Sequence, residues 1–275
     1  MKKWLMIAFF LLCGGVLFPT MHSISETSKL PSDPKKLYLD LIKRALMNSI
    51  YEDLDTNGSA ISAEEREIGK PWPSQAHTMM GLKRLNNIQF CLESILANGI
   101  EGDCIETGVW RGGGCILMRA ILKAYGDTTR KVWLADSFEG LPAPNVKKYP
   151  IDSSLNHLSK EKVLKVPLEE VQENFKKYGL LDNQVIFLEG FFKGTLPDAA
   201  IEKISLLRLD ADYYESTIEA LTALYPKLSI GGYLIIDDYA IPQCAAAVHD
   251  YRQQHHINEL ILPIDWTGVY WKKTR

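Results

Sequence analysis

Two short stretches of this 275-residue chain place acidic groups at the ends of apolar runs. LLRLDADYYEST (206–217) runs into Asp210 and Asp212, and GGYLIIDDY (231–239) ends in Asp237 and Asp238. Both runs read as buried strands. If those strands are neighbours, four carboxylates converge, and their repulsion makes an unbridged cluster costly. A hard divalent cation relieves that cost. Oxygen-only ligation suits Mg²⁺, which keeps coordination positions for water or substrate. The competing account is helix capping, with Asp212 ahead of YYESTIEA as an N-cap. Capping accommodates one such Asp more easily than four at two strand ends.

Other polar residues fall at similar positions. ETGVWRGGG (106–114) follows an apolar run. Its Gly108 admits close backbone approach, and Gly112 to Gly114 open a helix whose N-terminal amides favour a negative group. The spacing is not G-x-G-x-x-G and no G-K-[ST] is present, so neither a dinucleotide fingerprint nor a P-loop is indicated. WLADSFEG ends a further run at Asp136, placed to accept hydrogen bonds from both hydroxyls of a ribose. Capping of the following helix is the bland account of Asp136.

The elements that must position these groups alternate. Strands are predicted at 104–107, 132–136, 184–189, 205–210 and 231–237, with helices at 113–125, 168–178 and 216–228 between them. Such alternation signals βαβ units and a parallel sheet. ELILPIDWTGVYWKK adds a C-terminal antiparallel hairpin, giving a mostly parallel, doubly wound α/β sheet of Rossmann-like type. Upstream, amphipathic helices are predicted at 37–51 and 79–98, with a loop-rich stretch at 53–75. Residues 143–166 form an irregular insertion above the strand ends, either a lid over a ligand or a solvated surface loop. Ligands of open α/β sheets bind at the carboxyl ends of the strands, where all these polar residues lie.

Composition narrows the classes. With 46 % hydrophobic residues the chain can bury one substantial core. A net charge of -3 without a basic stripe argues against nucleic acid as a partner. Five cysteines at unrelated spacings suggest neither zinc nor a disulfide framework, so the catalytic part reads as cytoplasmic. The apolar run at 4–19 after two lysines reads as a short membrane anchor, a signal peptide, or a stretch ahead of a translation start at Met21. Residues 1–36 are thus a separate segment and linker, and 37–275 the functional domain. His77 reads as bonded to the fold rather than catalytic, and Trp266 and Tyr270 as packing.

From about residue 37 onward the sequence resembles the macrocin O-methyltransferase family. The blocks that carry this are PWPSQAHTMMGLKRLNN, IETGVWRGGGCILMRAILKAYG, WLADSFEGLP and NFKKYGLLDNQVIFLEGFFKGTLP, followed by LLRLDADYYEST and GGYLIIDDY. The resemblance implies a class I methyltransferase fold using S-adenosylmethionine and Mg²⁺, with a sugar hydroxyl as acceptor. Asp210, Asp237 and Asp238 then match metal ligands and Asp212 the general base. Glu106, Gly108, Asp136 and Ser137 fall in methionine- and ribose-binding segments, and Gly190 and Phe191 beside the adenine. Thr78 and Met79 match a strip that closes over the cofactor, within a helical lid region at 37–99. The N-terminal helices offer a surface for a homo-oligomer. Rival readings of the acidic motifs are a Mg²⁺-dependent phosphatase, a DxD glycosyltransferase and a non-catalytic binding module. Only some sixty residues follow Asp210, too few for the phosphatase sheet, and ETGVWRGGG has no role in a glycosyltransferase.

Overall fold

The computed structural model describes residues 33–275, so the apolar run at 4–19 and most of the linker lie outside the described residues. Seven strands form one sheet: β1 (Asp103–Thr107), β2 (Val132–Asp136), β3 (Val185–Glu189), β4 (Ile204–Leu209), β5 (Leu228–Ile236), β6 (Leu262–Pro263) and β7 (Val269–Lys272). Their order is β3-β2-β1-β4-β5-β7-β6, parallel from β3 to β5 and antiparallel at β7 and β6.

Successive strand residues point to opposite faces, and the two cores follow that alternation. Cys104, Leu206 and Ile235 enter one core with Leu85 and Leu92 of α3 (Leu82–Ala97) and Ile116 of α4 (Gly113–Tyr125). Ile105, Leu207 and Leu234 enter the other with Leu221 of α7 (Tyr214–Leu224) and Val248 of α8 (Pro242–Gln254). The expected doubly wound sheet and its strands are present. Among the described residues no helix is long and apolar enough to cross a membrane.

The helical boundaries differ from expectation for local reasons. The first helix, α1, spans Pro34–Leu46 rather than 37–51: Asp33 caps it, and the chain turns left-handed at Asn48. Within the loop-rich 53–75 stretch, Ser62 and Glu65 make a reciprocal capping box that starts α2 (Ala63–Ile68). The helix predicted from Met79 begins only at Leu82. The carbonyls of Thr78 and Met80 are taken by the buried Arg66 guanidinium, at 2.8 and 3.0 Å. The helix after Asp212 begins at Tyr214 and ends at Leu224, with a tighter turn at Tyr225–Lys227 around Pro226.

The 143–166 insertion is fastened to the body. Fully buried Asp152 accepts hydrogen bonds from the amides of Tyr214 (2.7 Å) and Glu215 (3.1 Å), satisfying donors that α7 leaves open. Gln243 donates to the Ile151 carbonyl at 2.9 Å, and Trp110 Nε1 to that of Val163 at 2.7 Å. Asp152→Ala should therefore remove about 1 kcal/mol of capping stabilisation and make 143–166 the first segment cut by limited proteolysis. Unchanged cleavage there would show that Asp152 does not hold the insertion.

Candidate active site

Where β4 and β5 end, a cavity of about 440 Å³ opens. Asp210 follows β4, and its N–H donates to the Thr107 carbonyl at 2.9 Å. Ala211 and Asp212 donate their N–H groups to Asp238 Oδ2, both at 3.1 Å, so the second acidic pair shapes the turn that carries the first. Asp212 sits in the left-handed region at φ 54° and does not cap α7, whose N-cap is Tyr213. One oxygen from each of Asp210, Asp237 and Asp238 lies within 4.8 Å of the others. Three carboxylates at that separation could hold a hard cation.

Arginines balance this cluster. Arg208 lies on β4 directly across from Glu106 on β1 and forms a fully buried ion pair with it. It also reaches Asp210 at 3.0 Å and Asp237 Oδ1 at 2.5 Å. The contact to Asp237 Oδ1 lacks hydrogen-bond alignment, leaving that oxygen with an open direction. Arg84 of α3 holds the other Asp237 oxygen at 2.5 Å, Asp265 at 2.9 Å and the Gly69 carbonyl at 2.9 Å. Burial would raise the Asp237 carboxyl, but Arg208 and Arg84 outweigh it and hold it below the ordinary carboxylate range. Asp210 and Asp238 go the other way: burial and neighbouring carboxylates push both up, Asp238 far up. Burial and the Asp210 and Asp237 charges push Asp212 to about 7, which suits a base working near neutral pH.

The other half of the cavity lies over β1 and β2. Gly108 is left-handed at φ 75°, and a Cβ there would stand 1.9 Å from the Asp210 carbonyl oxygen, so only glycine lets the two loops meet. Glu106 Oε2 is buried without a partner, and Gly114, opposite it, has no room for a side chain because a Cβ would meet that carboxylate. An unpaired buried carboxylate oxygen at a cavity wall suits a cationic ligand group such as an ammonium. Asp136 accepts from Val109 N at 2.7 Å and Phe138 N at 2.9 Å, bracing both loops rather than capping a helix. Ser137 closes the same turn through the Gly140 carbonyl.

Thr78, Met79, Glu106, Gly108, Asp136, Ser137, Phe191 and all four strand-end aspartates line this one cavity. Gly190 stands behind it, at φ 132°, with its N–H on the Asp136 carbonyl. Arg66 and Arg111 hold the 74–80 strip through its carbonyls, and the Asp53 carboxylate through the amides of Gln75 and Ala76. His77 bonds Tyr178 at 2.8 Å and is pushed down to about 4, first by burial and then by Lys177 and Arg111, as a residue of the fold. Tyr270 packs on Phe90 and Tyr233. Trp266, expected to pack, is 51 % exposed and lines the cavity, because it occupies the tip of the β6–β7 turn. Sequence reasoning missed Arg208 and Arg84. A lone arginine inside LLRLD signals a buried partner; Arg84, on an ordinary amphipathic helix, carries no such signal.

A family model described as macrocin-O-methyltransferase (TylF) matches residues 54–273. The chain belongs to the macrocin O-methyltransferase family. It is 51 % identical to a Streptomyces olivaceus 8-demethyl-8-(2,3-dimethoxy-alpha-L-rhamnosyl)-tetracenomycin-C 4'-O-methyltransferase, over 89 % of this chain and 95 % of that one. It is 50 % identical to the mycinamicin III 3''-O-methyltransferase of Micromonospora griseorubida, over 89 % and 99 % of the two chains. The solved structure of the O-methyltransferase NovP superposes with a TM-score of 0.85 at 48 % identity, over 88 % of this chain and all of that one. The calicheamicin methyltransferase CalS11, at 19 % identity and a TM-score of 0.57, shares the fold. The chain is thus an enzyme of the methyltransferase class with the class I fold, which sets aside the phosphatase, glycosyltransferase and binding-module readings.

Breaking a buried pair while leaving one charge unpaired costs about 3–5 kcal/mol. Arg208→Met should lower the urea unfolding free energy by that order, since it strands the buried Glu106 and leaves Asp237 to Arg84 alone. A loss below about 1 kcal/mol would mean the network contributes little net stability.

Proposed function

We propose that this enzyme transfers a methyl group from S-adenosylmethionine to a sugar hydroxyl, with Mg²⁺ held by Asp210, Asp237 and Asp238. The observation that carries the reading is three carboxylates within ligating distance of one another beside a cavity wall with a glycine-lined approach and an orphan buried carboxylate oxygen. The relatives support the acceptor class: one acts on a rhamnosyl tetracenomycin and another on mycinamicin III. The proposal takes residues 37–275 as one catalytic unit, with 37–99 covering the cofactor. It takes the setting as cytoplasmic, the four described cysteines being free thiols.

When bound, S-adenosylmethionine supplies an electrophilic sulfonium methyl, and Mg²⁺ orients and acidifies a hydroxyl. The chain's own residues do the rest. Glu106 Oε2 would accept from the cofactor ammonium, Asp136 and Ser137 would hold its ribose, and Phe191 would lie beside its adenine. Thr78 and Met79 would cover it from the strip that Arg66 holds. Alignment of acceptor oxygen and methyl carbon supplies most of the rate. Asp212 would accept the proton that the acceptor hydroxyl gives up when it is methylated. Two adjacent oxygens fit a cation that keeps open positions, so a vicinal diol is the expected acceptor.

Asp212→Asn should bind S-adenosylmethionine with wild-type affinity by calorimetry yet lose about 100-fold or more in kcat; full turnover would remove Asp212 as the base.

A second test uses pH. In the metal-free protein the raised Asp210, Asp212 and Asp238 carboxyls hold protons that the unfolded chain releases. Their contribution is complete below the ordinary carboxyl value and fades as pH rises through the folded values, about 7 for Asp212. Asp237, shifted down, adds its dependence only below that window. Mg²⁺ competes with these protons, so its effect on Tm should exceed about 3 °C at about pH 8, shrink toward about pH 5, and vanish in Asp238→Ala. A pH-independent shift that survives Asp238→Ala would remove Mg²⁺ from this site.

A further inference from the structure

The cavity continues past the aspartates, away from the glycine-lined half. Sheet order separates the two ends: β1, β2 and β3 lie on one side of β4, and β5 and β7 on the other. There the lining includes Ala240 and Ile241, which follow β5, and Trp266 in the β6–β7 turn; Lys70 and Trp72 line the same cavity. Nothing in the methyl-donor half accounts for an exposed indole here.

Trp266 is held in a way that leaves its ring face free. Its Nε1 donates to the Ile68 carbonyl at 2.9 Å, which spends the one polar group of the indole at its edge. The turn beneath it is fastened to the acidic cluster. Asp265 Oδ1 accepts from the amides of Thr267 (3.0 Å) and Gly268 (2.8 Å), while Oδ2 takes Arg84 Nε. Thr267 Oγ1 donates to the Asp237 carbonyl at 3.0 Å. The indole therefore stands at a fixed offset from Asp237, set by hydrogen bonds rather than by chance exposure.

Charge restricts what this end can take. Among the described residues lining the cavity the cations are Lys70, Arg84 and Arg208, and both arginines are buried in ion pairs. A diphosphate would face several carboxylates with one lysine to balance it. A neutral sugar ring fits better. Its axial C–H groups form an apolar face that an electron-rich indole face attracts, while its hydroxyls remain on the edge toward the aspartates.

We infer that Trp266, in a lining shared with Trp72 and Ile241, is the stacking platform of the acceptor subsite and binds the C–H face of a neutral hexose beside Asp237 and Asp238. The inference rests on the proposed methyl transfer to a sugar. It assigns specificity to the β6–β7 turn.

The test uses the full chain with Mg²⁺ and S-adenosylhomocysteine, probed with methyl α-L-rhamnopyranoside, a neutral deoxyhexose with vicinal hydroxyls. Saturation-transfer NMR should show the ring C–H protons saturated in the wild type. Trp266→Ala should weaken that binding about tenfold or more, and Trp266→Phe should restore most of it. Both variants lose the hydrogen bond to Ile68, so recovery in Trp266→Phe isolates the aromatic face from a structural role. S-adenosylmethionine affinity by calorimetry should stay unchanged in both. Equal saturation in wild type and Trp266→Ala, failure of Trp266→Phe to recover, or no saturation in a wild type that binds S-adenosylmethionine would each overturn the platform. A wild type that fails to bind S-adenosylmethionine would instead overturn the proposed methyl transfer.

Discussion

A single buried guanidinium organises this molecule. Arg208 sits in the middle of the sheet, 1 % exposed, and burial alone would lower its pKa. The Asp237, Glu106 and Asp210 carboxylates outweigh that and keep it charged. Three carboxylates from three adjacent strands are thereby fixed around one cation. Without it, Glu106 would be a buried charge alone and Asp237 would have only Arg84 to oppose its acidic neighbours. The charge pattern of the two cavity halves follows from how Arg208 divides its contacts between Glu106 and the strand-end aspartates.

Arg84 extends the same device outward. It ties Asp237 to Asp265 in the β6–β7 turn and to the Gly69 carbonyl, so the helical segment, the sheet and the hairpin meet at one side chain. Arg66 does comparable work on the strip at 78–80 by occupying carbonyls that would otherwise start a helix. Asp152 closes the remaining side by taking two amides of α7. These loops around the cavity are thus fixed by charged side chains bonded to backbone or to an opposite charge. Such a preformed cavity limits the ordering cost when ligands bind.

Much of this was legible in the chain. Short apolar runs mark the parallel strands, because a strand that serves a core on each face is hydrophobic almost throughout. Strand ends collect polar groups, so the strand-end aspartates, Glu106 and Asp136 stand out in the sequence as candidate site residues. Ser62 and Glu65 carry an S-x-x-E spacing that announces α2. The start of α3 was not readable, because Arg66, a dozen residues upstream, suppresses helix at Thr78 to Met80. Trp266 was read as packing since nothing in WTG distinguishes an indole under a sheet from one at the tip of a turn.

The sequence by itself determined the strand pattern, the acidic residues that end the strands and the family the chain belongs to, because hydrophobic period and motif are local properties. Only the tertiary structure decided which carboxylates are paired and which are left open. Glu106 is paired by Arg208, 102 positions away, and Asp237 by Arg84, 153 positions away, contacts that only the closed fold creates. The capping of α7 by Asp152 and the exposure of Trp266 were decided the same way. Each depends on which loops the closed sheet brings together, a relation that no stretch of neighbouring residues contains.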